Sequence, residues 1–87
     1  VAYRIEFKPA AVRALAALPN PDQRRIRTRI DALAAEPRPP GAVDLRGSPE
    51  GFLRIRSGDY RIIYLVQDRV LLVIVVTIGH RRDVYRR

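Results

Sequence analysis

The residues best able to do chemistry in this chain are arginines placed around three runs that read as strands. Phe52, Arg54 and Arg56 alternate with Leu53 and Ile55, so strand geometry sends the first three to one side and the other two to the opposite side. Arg61 opens the next apolar run across a tight turn from Arg56, and His80, Arg81 and Arg82 follow the end of the long run Val70 to Ile78. Antiparallel pairing brings the start of one strand opposite the end of its neighbour. Arg56, Arg61, His80 and Arg81 are therefore expected to converge at one end of a sheet, with Tyr85 about one helical turn beyond Arg81. A guanidinium is a planar fork of charged donors that matches phosphate oxygens in pairs. Such a cluster is suited to gripping a phosphodiester and to holding negative charge that builds up on it.

The same residues have a plainer reading. The arginines can form a solvated rim with exposed ion pairs to Asp59 and Asp83, which contribute little. A lone histidine such as His80 is more often structural than catalytic. Tyr60 and Tyr64 share a strand face with Ile62 and Val66 and read as core. The cluster from Arg24 to Arg29 reads as a solvated helix face.

Composition narrows the function classes. Seventeen basic residues against nine acidic ones give a net charge of +8, and every basic residue but Lys8 is arginine. A GC-rich coding sequence accounts for the preference of Arg over Lys but not for the net excess, which points to a polyanion or an acidic partner. With no cysteine and one histidine, the chain offers no disulfide framework and no thiolate metal site, and it lacks the paired histidines of many ribonucleases. The acidic residues Asp44, Glu50, Asp59, Asp68 and Asp83 are scattered, so no metal and no cofactor is expected. The run Val70 to Ile78 is too short for a membrane helix, which needs about 20 residues. No secretory signal is read in Ala2 to Phe7, where Arg4 and Glu6 interrupt the apolar residues. A cytoplasmic location and no membrane partner are expected.

These groups need elements to position them. Tyr3, Ile5 and Phe7 alternate with Arg4 and Glu6 and predict a first strand. Pro9 suits a first helical turn, and Ala11, Leu15 and Leu18 make one apolar stripe that Pro19 ends. Asn20 reads as a cap followed by Pro21 at the first helical position, and Ile26, Ile30 and Leu33 carry a second helix toward Pro37. The stiff connector 37–41 leads to Leu45, expected to pack back on the core. Strands are predicted over 52–56, 60–66 and 70–78, with a tight turn at Ser57-Gly58, another at 67–69 and a break at Gly79. The order predicts one α+β domain over residues 1–87: an N-terminal strand, a helical hairpin, then a three-stranded antiparallel meander, forming one sheet with helices on one face. Strands 60–66 and 70–78 are apolar on both sides, so part of the second face is expected to await a partner.

Several segments carry a resemblance. Gly58-Asp59-Tyr60-Arg61-Ile62-Ile63-Tyr64 resembles the central strand signature of the RelE/ParE toxin superfamily. Ile78-Gly79-His80-Arg81-Arg82-Asp83-Val84-Tyr85-Arg86 resembles the C-terminal signature of its RelE branch. Leu45-Arg46-Gly47 ahead of Gly51-Phe52-Leu53-Arg54-Ile55-Arg56 is similar as well, and so is the opening from Tyr3 to Pro19. The resemblance implies a RelE-like microbial-RNase-type fold. It also implies the toxin of a type II toxin–antitoxin system: a metal-independent, ribosome-dependent mRNA endoribonuclease in which the 2′-OH attacks the adjacent phosphate. Carried over to this sequence, the catalytic residues are Arg54, Arg61, Arg81 and Tyr85. Arg56, His80, Arg82 and Arg86 are implied to bind RNA. The implied partners are a cognate acidic RelB-like antitoxin and the ribosome with its A-site mRNA. Some members carry lysines on the middle strand where this chain has Phe52 and Arg54; arginine is a poor general base but still stabilises a five-coordinate phosphorus. Two alternatives stand beside this reading: a ParE-like DNA gyrase inhibitor of the same fold, and a non-catalytic basic binding module.

Overall fold

Alternation and helical stripes build the expected elements, and pairing between strands then decides where each side chain faces. The computed structural model describes residues 2–80. In chain order it contains β1 (Arg4–Phe7), α1 (Pro9–Ala16), α2 (Asn20–Ala32), β2 (Val43–Asp44), β3 (Leu53–Ser57), β4 (Tyr60–Gln67), a 3₁₀ turn (Asp68–Val70) and β5 (Leu72–His80). One sheet holds all the strands in the order β1-β5-β4-β3-β2. β3, β4 and β5 form the antiparallel meander. β1 adds at its edge in parallel with β5, from Arg4 opposite Leu72 to Phe7 opposite Val75.

The helical hairpin covers one face. Ala11 and Leu15 of α1, and Ile26 and Ile30 of α2 with Leu33 just beyond it, pack on Ile55, Ile62, Tyr64, Val73, Val75 and Ile78. Pro9 stands in the first turn of α1, where its missing N–H costs nothing. No helix among the described residues is long and apolar enough to cross a membrane.

Four local expectations change. Pro19, not Asn20, occupies the N-cap position of α2, and no side chain caps it. The turn between the helices is instead closed by Gln23, whose Nε2 donates to the Leu18 carbonyl at 2.8 Å. α2 stops at Ala32, short of Pro37; past it the chain turns, and the Ala34 carbonyl accepts from the Tyr3 N–H at 2.8 Å, which anchors β1. Leu45 is half-buried and lies outside the main core cluster, its N–H bonded to the Phe52 carbonyl at 2.9 Å beside the unanticipated strand β2. Gly79 does not break β5, which runs through it to His80.

The β4–β5 ladder contains an irregularity. Ile63 pairs with Thr77 but the next residue, Tyr64, pairs with Val75, so Val76 is an extra residue on β5. A bulge of this kind switches which face the following residues occupy. Val73 and Val75 face the helices before it, and Ile78 does so after it. Strict alternation would have sent Ile78 to the other side.

The far face of the meander is not open throughout. Ile63 and Leu72 are buried there, while Leu65, Ile74 and Val76 are half-buried.

Candidate functional site

The β3–β4 hairpin is the local device that assembles the arginines. Ser57 pairs with Tyr60, leaving Gly58 and Asp59 as the two loop residues. Gly58 has φ 59°, the left-handed conformation that a two-residue hairpin with glycine first requires. The turn therefore sits one residue later than Ser57-Gly58. It sets Arg56 directly opposite Arg61 and Arg54 opposite Ile63.

Directly opposed residues share a face, so Arg54, Arg56 and Arg61 lie together on the side of the sheet away from the helices. Like charges facing each other across a ladder are destabilising. Arg61 is only 9% exposed, and its guanidinium stays charged. The Nε atoms of Arg54 and Arg61 are both buried. On the neighbouring strand Arg61 is opposite Gly79, which puts no side chain beside the guanidinium. Glycine inside β5 thus fits a strand whose neighbour carries a bulky cation at that register.

His80 comes to the same end of the sheet but to the other face. It pairs with Tyr60 and meets its ring edge-on, with centroids 5.7 Å apart and planes at 82°. The Tyr60 hydroxyl reaches toward α2 and donates to Asp22 Oδ2 at 3.4 Å. Burial pushes the Tyr60 hydroxyl above the ordinary tyrosine range, and the nearby Asp22 carboxylate adds to the effect. The convergence of Arg56, Arg61, His80 and Arg81 is therefore split by the sheet. Arg56 and Arg61 are on one side and His80 is on the other, because the Val76 bulge turned β5 over. Arg81, Arg82, Tyr85 and Arg86 lie outside the described residues.

Sequence patterning alone did not single out Arg29 or Asp22. Arg29 Nε donates to the Arg56 carbonyl at 3.1 Å and ties α2 to β3 behind the cluster. Arg24, Arg25 and Arg29 join Arg56 in lining an open cavity of about 530 Å³ between α2 and the β3–β4 turn. The run from Arg24 to Arg29 is thus partly a cavity wall, which helical periodicity could not show. The described residues contain no group of three or more His, Cys, Asp or Glu side chains placed to hold a metal ion. The arrangement can bind phosphate through several fixed guanidinium groups and concentrate positive charge at one end of the sheet.

Comparison with known proteins places the fold in a family. The family described as ParE toxin of type II toxin-antitoxin system matches residues 5–85. Toxin RelG of Mycobacterium tuberculosis is 37% identical over 43 residues, a match spanning about half of each chain (49% of both). Among solved structures, the archaeal RelE-RelB complex from Pyrococcus horikoshii matches with TM-score 0.82 at 30% identity, over 100% of both chains. The toxin–antitoxin complex RelBE2 of Mycobacterium tuberculosis matches with TM-score 0.81 at 28% identity, over 93% of this chain and 100% of that one. The chain belongs to the RelE/ParE superfamily of type II toxin–antitoxin toxins.

Proposed function

We propose that this toxin is a RelE-type mRNA endoribonuclease that inhibits translation by cutting ribosome-bound message in the A site. The observation that carries the reading is the shared face of Arg54, Arg56 and Arg61, with Arg61 buried opposite another arginine. Guanidinium groups gathered on one face are suited to a polyanion. Arg54 and Arg61 hold the scissile phosphate and stabilise its five-coordinate state. The 2′-oxygen attacks phosphorus while the bond from phosphorus to the 5′-oxygen breaks. The proton lost at the 2′-oxygen is matched by one gained at the 5′-oxygen. Arg81 stabilises the leaving oxygen, Tyr85 orients the 2′-hydroxyl, and Arg56, Arg82 and Arg86 bind the RNA backbone. No metal enters this chemistry. The protein works in the cytoplasm and is restrained by a cognate acidic RelB-like antitoxin. The solved relatives found as RelE-RelB complexes support that partner, and the charge of +8 would draw it in.

Primer extension on mRNA from an inducing culture tests the reading. New 5′ ends inside coding regions are expected, and intact mRNA in growth-arrested cells overturns it. A second reading has its own support: the matching family is described by its ParE toxins. A ParE-like gyrase inhibitor would leave mRNA whole and accumulate gyrase-linked DNA breaks, so the two readings separate in one induced culture.

A further inference from the structure

On the helix side of the same sheet end lies a second cavity, of about 250 Å³, between α2 and the β3–β4 turn. Its wall includes Asp22 and Arg25 from α2, Gly58 and Asp59 from the turn, and Tyr60 and His80 from the paired strands. It shares Arg25, Ser57 and Gly58 with the arginine-lined cavity and so continues it around the turn. The two differ in sign. The larger one is lined by four arginines and no acid. The smaller one holds the carboxylates of Asp22 and Asp59.

A carboxylate is wrong for phosphate and right for N–H donors. Asp22 is also only loosely engaged. Tyr60 donates to it at 3.4 Å and Arg25 stands 3.8 Å away, both long, and its side chain is 28% exposed. A carboxylate has about four acceptor sites, so these contacts leave room for further donors. Tyr60 and His80 supply two rings at the same place, and single-stranded RNA is read by stacking on such rings with hydrogen bonds to the base edge. We infer that this cavity is a nucleobase subsite for guanine: Asp22 accepts from the base's ring N–H and its exocyclic amino group, the Tyr60–His80 pair packs against the base, and the adjoining arginines hold the flanking phosphate. The inference rests on the RNA-cleaving reading for its biological use, but the site itself can be tested by binding alone.

The test uses the full chain and free nucleotides. Guanosine, inosine and adenosine 5′-monophosphates are titrated while tyrosine fluorescence is followed, since the chain has four tyrosines and no tryptophan. A well-placed bidentate pair separates right from wrong bases by about tenfold or more. The guanosine nucleotide should bind at least about tenfold tighter than the adenosine one, with inosine, which lacks the amino group, in between. Asp22→Asn should collapse that ratio toward one while keeping the parent melting temperature. The inosine comparison needs no variant and stands even if Asp22→Asn folds poorly. Equal affinities for the three nucleotides, or an unchanged ratio in Asp22→Asn, overturn the subsite. Guanine-selective binding by a protein that cuts no mRNA would defeat the cleavage reading and leave the subsite standing. Cutting without any guanine selectivity would do the reverse.

Discussion

The two ends of the sheet are built on opposite principles. At the end where β4 turns into β5, polar groups are matched and closed. Arg38 from the connector makes a two-point contact with Asp68, Nη1 to Oδ1 at 3.1 Å and Nη2 to Oδ2 at 3.0 Å. The Tyr3 hydroxyl donates to the same carboxylate at 2.6 Å, and the buried Tyr64 hydroxyl donates to the Pro37 carbonyl at 2.7 Å. These bonds tie β1, the connector and the β4–β5 turn together. At the other end, Arg56 faces Arg61 across the ladder, and Arg24, Arg25 and Arg29 crowd the same corner. One end spends its polar groups on one another. The other gathers arginines at one corner and sets the Asp22 and Asp59 carboxylates beside them on the helix side.

The largest expected effect is at the charged end. Removing one preorganised donor to a transition-state charge costs about 2.7–4 kcal/mol, or roughly 10²–10³ in rate. Arg61→Ala should lose that much single-turnover cleavage at saturating ribosome, and so should Arg81→Ala. A variant that cuts at the parent rate, or one that loses activity only by unfolding, would erase the contrast between the ends.

Tyr64→Phe probes the closed end. It removes one hydrogen bond to the half-buried Pro37 carbonyl, a net loss of about 0.5–1.5 kcal/mol. Thermal melting should fall by several degrees while cleavage by the folded fraction stays at the parent rate. An unchanged melting temperature would mean that this bond does not hold the connector. Burial also raises the Tyr64 hydroxyl above its ordinary range. Its contribution is therefore complete below about pH 10, the unfolded value, and declines as pH rises toward the folded one.

The smallest effect is the acid limb at the same end. The Arg38 guanidinium, helped by the Tyr3 hydroxyl, holds the Asp68 carboxyl below its usual range. A depressed carboxylate contributes stability above its unfolded value, about 3.9, and loses it as pH falls toward the folded one. Melting curves of the parent and Asp68→Asn should therefore differ at neutral pH and draw together below about pH 4. A gap that is constant with pH would show that the carboxylate's charge is not what matters there.

Much of the charged end was legible before the fold was known. The alternation through Phe52 to Arg56 put Arg54 and Arg56 on one side, and the hairpin brought Arg61 to them. That step needs only the two-residue period and a turn glycine, both local. His80 reaches the expected end of the sheet, on the face opposite Arg56 and Arg61. The extra residue at Val76 belongs to the pairing of β5 with β4, and a strand's own pattern of Val, Ile and Thr carries no mark of it. Asp22 and Arg29 were unremarkable on a polar helix face. Their roles come from how α2 lies over the β3–β4 turn.

The chain's own residues thus determined the element order, the core stripes, the excess positive charge and the arginines of β3 and β4, because each depends on composition or on a period within one element. Only the tertiary structure decided which side of the sheet His80 occupies, that Gly79 stays in the strand beside Arg61, and that Asp22 shares a cavity with Tyr60. Those depend on register between strands and on the seating of a helix, set by packing among residues far apart in the chain.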